Sequence, residues 1–111
     1  AHPGRTERAS RLTVREFEQR RHELDGVQIV DIRNPGEVAL GAVPGAVTIP
    51  VGQLPERLGE LDSAAPTVVY CAGGYRSSVA ASLLRTRGFV DVSDLLGGFG
   101  AWVEVTQMPT H

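Results

Sequence analysis

The sequence predicts an α/β fold, a mostly parallel sheet covered by helices on both faces. Short β-branched runs alternate along the chain with segments of helical period, and the crossovers between runs are too long for hairpins. The third observation is the glycine-rich turn that follows one apolar run, at the single cysteine, Cys71. In sheets of this kind ligands gather at the C-terminal ends of the strands, which is where Cys71 falls. A chain of 111 residues is long enough for one core and too short for two. Its 41% apolar and 22% charged residues argue against wholesale disorder.

Taken in order, residues 1–10 are polar, contain Pro3 and Gly4, and read as a leader or linker before a domain spanning 11–106 and a tail at 107–111. Thr13 and Glu16 have capping-box spacing, and Val14, Phe17 and Arg21 open a helical register running to about Leu24. Asp25-Gly26 stops it. Val27–Ile32 is a β-branched run suited to a buried strand. Asn34-Pro35-Gly36 turns the chain into a brief helical piece around Glu37–Leu40. Val47–Ile49 is a second strand, ended by Pro50, and Leu54, Leu58 and Leu61 recur at helical spacing. Thr67–Tyr70 form the strand that delivers Cys71. Residues 76–87 follow as a helix with Gly88 as its stop, Val92–Leu96 is a final strand, and Gly97–Trp102 open a last helix.

Several function classes fall away on composition. A net charge of −2 gives no electrostatic reason to expect nucleic acid or an anionic membrane as partner. One cysteine cannot form an internal disulfide, and no Cys/His cluster supports a metal site or a cofactor. No apolar stretch approaches the ~20 residues of a membrane span, and the first residues do not resemble a signal peptide. A reducing cytoplasm is the default expectation. The chain starts without Met, which fits a processed product or a segment of something longer.

The segment Cys71-Ala72-Gly73-Gly74-Tyr75-Arg76-Ser77 carries the chemistry. A strand feeding a short loop that opens a helix aims backbone N–H groups and the positive helix end at one point. Gly73 and Gly74 permit the positive φ angles of a tight cradle, and converging N–H groups form an anion-binding nest. A thiolate held there has its pKa lowered from about 8.5 into the roughly 3.5–7.5 range found at helix N-termini and beside cations. The nest also suits an anionic sulfur compound. Attack on a sulfane sulfur by such a thiolate needs no general base, which matters because His2, His22 and His111 all lie far from Cys71 in sequence. A buried structural thiol is the plainer alternative.

Four stretches in order resemble the rhodanese domain family: Asp31-Ile32-Arg33 with Pro35 and Glu37, Gly41–Ala46, Cys71–Ser77, and Leu96-Gly97-Gly98 with Trp102. Together they cover about residues 12–105. The resemblance implies a three-layer fold with a central sheet of about five strands. It implies sulfur transfer from thiosulfate or a low-molecular-weight persulfide to a thiol or cyanide acceptor, by way of a Cys71 persulfide. Residues Ala72, Gly73, Gly74, Tyr75, Arg76 and Ser77 would bind substrate, supported by Asp31, Arg33 and Glu37. Ala42 stands where the family usually has His, a departure that bears on packing or access. Tyrosine phosphatases, and the cell-cycle phosphatases sharing the fold, have a similar loop with five residues between Cys and Arg. Here four intervene, a tighter ring that favours sulfur over tetrahedral phosphate or arsenate.

Some roles stay open at this level. Arg76 either contacts the substrate anion or is held as scaffolding by Asp31 or Glu37. Arg33 is expected to close a turn, Tyr75 to line the rim, and Phe99 and Trp102 to sit in the core. Ser77 and Ser78 either serve the loop or cap the helix. The competing class is an accessory sulfur relay or binding module. The run Val51–Leu58, with the polar leader, resembles rhodanese segments attached to metallo-β-lactamase-fold persulfide dioxygenases, so a fused or partner domain of that fold is expected under this reading.

Overall fold

The computed structural model describes residues 10–24, 26–73 and 75–107. Five strands form one sheet: β1 (Ser10–Leu12), β2 (Gln28–Asp31), β3 (Val47–Thr48), β4 (Thr67–Tyr70) and β5 (Val92–Leu95). Their spatial order is β1-β5-β4-β2-β3, and each neighbouring pair is parallel. The helices are α1 (Val14–Glu23), α2 (Pro35–Val38), α3 (Leu54–Arg57), α4 (Tyr75–Thr86) and α5 (Gly98–Thr106).

Strand alternation sorts the core into two layers. Val30, Ile32, Ile49, Val69, Cys71 and Val92 point to the side covered by Leu54 of α3 and by Ala80, Ala81 and Leu84 of α4. Ile29, Val68, Tyr70 and Leu95 point the other way, against Val14 and Phe17 of α1 and Trp102 of α5. All four residues of β4 are buried, as a strand covered on both faces requires. Full burial of side chains such as Leu84 and Phe17 contributes about 1.5–3 kcal/mol each.

The expected capping box starts α1: the Glu16 N–H donates to Thr13 Oγ1 at 3.1 Å, and the Thr13 N–H donates to Glu16 Oε1 at 2.8 Å. The thiol-bearing strand coincides with Thr67–Tyr70, and α4 begins one residue earlier than expected, at Tyr75.

Three expectations are corrected. The leader does not extend to residue 10, because Ser10–Leu12 form edge strand β1 beside β5; residues 1–9 and most of the tail, 108–111, lie outside the described residues. The leucine-spaced segment is not one helix: a 3-10 turn at Val51–Gln53, the single turn of α3 and a second 3-10 turn at Leu58–Glu60 replace it. Gly52, Pro55 and Gly59 lie along this stretch, and glycine and proline both weaken a continuous helix. The helical piece α2 covers Pro35–Val38, not Glu37–Leu40, because Pro35 suits a helix's first turn and Asn34 supplies the cap.

Candidate active site

Cys71 follows the last residue of β4, the middle strand, so the sheet delivers it to the C-terminal edge. It is 1% exposed, whereas Ala72, Gly73 and Tyr75 above it are exposed. The sulfur lies beneath an open loop, and the 80% exposure of Tyr75 agrees with a place at the rim.

The loop takes its shape from α5. The Phe99 N–H donates to the Cys71 carbonyl at 2.8 Å, and the Gly100 N–H donates to the Ala72 carbonyl at 3.3 Å. Gly97 and Gly98 adopt φ of +78° and +62°, which L side chains avoid. A Cβ on Gly98 would stand 2.4 Å from the Cys71 carbonyl oxygen and 2.6 Å from that of Ala72. The glycine pair therefore lets a helix N-terminus press against the backbone that carries the thiol. The expectation that Gly73 supplies a positive φ is corrected: Gly73 is not left-handed, and a Cβ there would meet nothing within 4 Å. Among the described residues, the left-handed glycines at this loop are Gly97 and Gly98, across the interface. Gly74 lies outside the described residues.

Arg76 sits in the first turn of α4 and forms paired bonds to Glu37 of α2, Nη1 to Oε1 and Nη2 to Oε2, each 3.1 Å. Those bonds, and then the Glu37 charge, raise the Arg76 guanidinium above its ordinary value; burial opposes them, and Cys71 adds a smaller effect. Glu37 in turn is held below the ordinary carboxylate range, first by its bond with Arg76 and next by the Asn34 N–H. Arg76 is thus held by Glu37, and Asp31 is not its partner.

Asp31 belongs to a separate cluster on the opposite face. Arg33, 4% exposed, donates through Nη2 to Asp31 Oδ2 at 2.7 Å and to the Gly41 carbonyl at 2.7 Å. Tyr70 donates its hydroxyl proton to Asp31 Oδ2 at 2.7 Å and accepts from the Val43 N–H at 3.0 Å. Burial, then the bond to Asp31, push the Tyr70 phenol above its ordinary value. The Arg33 guanidinium lies 4.2 Å from the Phe99 ring centroid. Arg33 binds Asp31 and the Gly41 carbonyl, and with Tyr70 it ties the Gly41–Val43 loop to the sheet edge beside Cys71. Ala42 is half-buried within that tied loop. Trp102 is core, with its indole N–H donating to Glu18 at 2.8 Å, and Phe99 is half-buried beneath Arg33.

Ser77 is fully buried, with Oγ 3.7 Å from Cys71 Sγ. The Ser78 hydroxyl donates instead to the Tyr75 carbonyl at 2.9 Å. Sequence reasoning overlooked Asp94, whose Oδ2 lies 3.5 Å from Ser77 Oγ, and its partner Arg11. The signal was a carboxylate inside the short buried run Val92–Leu95. Among the described residues no group of His, Cys, Asp or Glu is arranged to hold a metal ion. Nor is any helix among them long and apolar enough to cross a membrane.

Comparison with known proteins agrees with this geometry. The family description "Rhodanese-like domain" matches residues 13–105. A sulfurtransferase of Allochromatium vinosum is 38% identical over 84 residues, covering 76% of this chain and 78% of the relative. The thiosulfate sulfurtransferase GlpE of Shewanella oneidensis is 42% identical over 82 residues, covering 74% and 81%. The crystal structure of a rhodanese-like domain protein from Staphylococcus aureus superposes with a TM-score of 0.77 at 33% identity, covering 84% of this chain and 90% of that one. With its parallel five-stranded sheet and its cysteine loop at the edge of the middle strand, the chain belongs to the rhodanese-like domain family.

Proposed function

We propose that the protein is a sulfurtransferase that carries a sulfane sulfur on Cys71. One observation carries the reading: Cys71 lies at the end of the middle strand, beneath an exposed loop, with Arg76 in the first turn of the helix that follows. A cation and a helix N-terminus beside a thiol favour its thiolate, the nucleophilic form. The thiolate attacks the outer sulfur of thiosulfate, forming a new S–S bond while the old one breaks and sulfite leaves with its electron pair. Cyanide, or the thiolate of a low-molecular-weight thiol, then attacks the outer sulfur of the Cys71 persulfide. Thiocyanate or a new persulfide departs and Cys71 returns as thiolate. No proton has to be removed by a base once the thiolate exists, and the bound sulfur remains anionic throughout, matched to Arg76.

A low-molecular-weight persulfide is an equivalent donor, and a chemistry that needs a free thiolate suits a reducing compartment such as the cytoplasm. The test is steady-state kinetics with thiosulfate and cyanide. Parallel double-reciprocal lines, abolished in Cys71→Ser, support the reading. Turnover that survives in Cys71→Ser refutes it, and Cys71-dependent hydrolysis of an aryl phosphate would favour phosphoryl chemistry in its place.

A second reading rests on the resemblance of Val51–Leu58 to rhodanese segments joined to metallo-β-lactamase-fold persulfide dioxygenases. In that setting the domain passes sulfur to, or receives it from, a fused or partner domain. The full reading frame around the chain tests this directly.

A further inference from the structure

The α4 side of the sheet holds a carboxylate that the sulfur chemistry above does not use. Asp94 stands within β5, in register with Val69 of β4 on one side and Arg11 of β1 on the other. It is 4% exposed, and Val69 opposite it shares the layer in which Val30, Ile32 and Cys71 pack beneath α4. An ionised carboxylate is costly there unless it is paired. Its Oδ2 accepts from Arg11 Nε at 3.1 Å and Nη2 at 3.0 Å, and the same oxygen faces Ser77 Oγ at 3.5 Å. Ser77 Oγ is in turn 3.7 Å from Cys71 Sγ. Arg11, Asp94, Ser77 and Cys71 therefore form a line of polar contacts from the sheet edge to the sulfur.

The protonation state of Cys71 sets the direction of those contacts. A thiol donates its proton to Ser77 Oγ and leaves the hydroxyl proton for an acceptor, Asp94 among them. A thiolate or persulfide anion needs the Ser77 proton for itself. Asp94 competes for that proton and also repels the sulfur's charge. Arg11 counters both effects, because its two N–H groups bind the same Oδ2. We propose that the Arg11–Asp94 pair positions Ser77 and sets how readily Cys71 becomes an anion, with Asp94 opposing the anion and Arg11 favouring it. This rests on the reading of Cys71 as a reactive thiolate.

Other charged groups lie on the elements packed around this layer and stay constant in the comparison. Arg76 of α4, paired with Glu37 of α2, opens the helix that follows the thiol loop. Arg85 of α4 joins Arg11 and Asp94 around a cleft of about 350 Å³. Arg57 of α3 is bonded to Glu60. Asp31 and Arg33 bind each other around Tyr70, on the opposite face. From α5 the contact is the Phe99 N–H on the Cys71 carbonyl.

Arg11→Gln and Asp94→Asn break the same ion pair, so a purely structural role would move both variants the same way. The proposal requires opposite movements. Thiolate formation is followed by ultraviolet absorbance against pH, each variant read against its own Cys71→Ser counterpart, on protein never exposed to a sulfur donor. The midpoint should fall by about one pH unit in Asp94→Asn and rise by a smaller step in Arg11→Gln. With Ser77→Ala as background, the effect of Asp94→Asn should shrink. Movement of both midpoints in one direction, or of neither in proteins folded by circular dichroism, overturns the proposal. Should Asp94→Asn fail to fold, Arg11→Gln alone decides, and an unchanged or lowered midpoint overturns it. Because no donor is present, opposite shifts uphold the proposal even if thiosulfate proves not to load the thiol, a result that would count against the sulfurtransferase reading alone.

Discussion

Replacing Gly98 with alanine tests whether α5 shapes the thiol loop. At φ +62° an L side chain costs about 1–2 kcal/mol. The new Cβ would lie 2.4 Å and 2.6 Å from the carbonyl oxygens of Cys71 and Ala72, which are backbone atoms that cannot rotate aside. Loop and helix must separate, weakening the 2.8 Å and 3.3 Å bonds from the Phe99 and Gly100 N–H groups. Each such bond contributes about 0.5–1.5 kcal/mol. The total, about 2–5 kcal/mol, corresponds to a fall in Tm on the order of 10–20 °C. Since the displaced atoms carry the sulfur, uptake from thiosulfate per folded molecule should fall about tenfold to a hundredfold. Gly97→Ala is the control: its φ is +78°, but its Cβ meets the Ala101 Cβ at 2.6 Å, within α5. It should lose stability and retain uptake. Thermal melts and single-turnover sulfur loading read both effects. Wild-type loading and Tm in Gly98→Ala, or equal loss of loading in Gly97→Ala, would refute the reasoning.

Two further outcomes follow from the site. Tyr70→Phe leaves the Val43 N–H without its acceptor and Asp31 without one donor; it should cost about 1–3 kcal/mol by chemical denaturation and speed amide exchange at Val43. Glu37→Gln frees one carboxylate's worth of charge from Arg76, so KM for thiosulfate should fall, while stability changes little because the pair is partly exposed and screened by solvent. The sign with pH is fixed by the lowered Glu37 value. The pair's contribution is present above the unfolded carboxylate value of about 4.3 and is lost as pH falls through the folded value, where wild type and variant should converge.

The strand–helix alternation and the burial of β4 were legible because a strand covered on both faces must be apolar throughout, as Val68 and Val69 are. Strand β1 was not legible: its three residues, Ser10-Arg11-Leu12, pair only with β5 and carry little pattern of their own. Cys71 and the partnership of Arg76 with a carboxylate could be anticipated from the loop's sequence. Which carboxylate could not, because Asp31 and Glu37 are close in sequence and strand alternation sends Asp31 to the other face with Tyr70. The loop's dependence on Gly98 was hidden for a similar reason. A close approach between segments 27 residues apart has no local signature beyond a paired glycine. Asp94 was overlooked because its significance lies in what faces it.

The central claim, that Cys71 carries the transferred sulfur, is tested most directly by intact-mass measurement after incubation with thiosulfate. The wild-type chain should gain the mass of one sulfur atom, lose it again on addition of cyanide, and show neither change as Cys71→Ser. A folded wild-type chain whose mass does not change, or a Cys71→Ser chain that gains the same sulfur, would contradict the account.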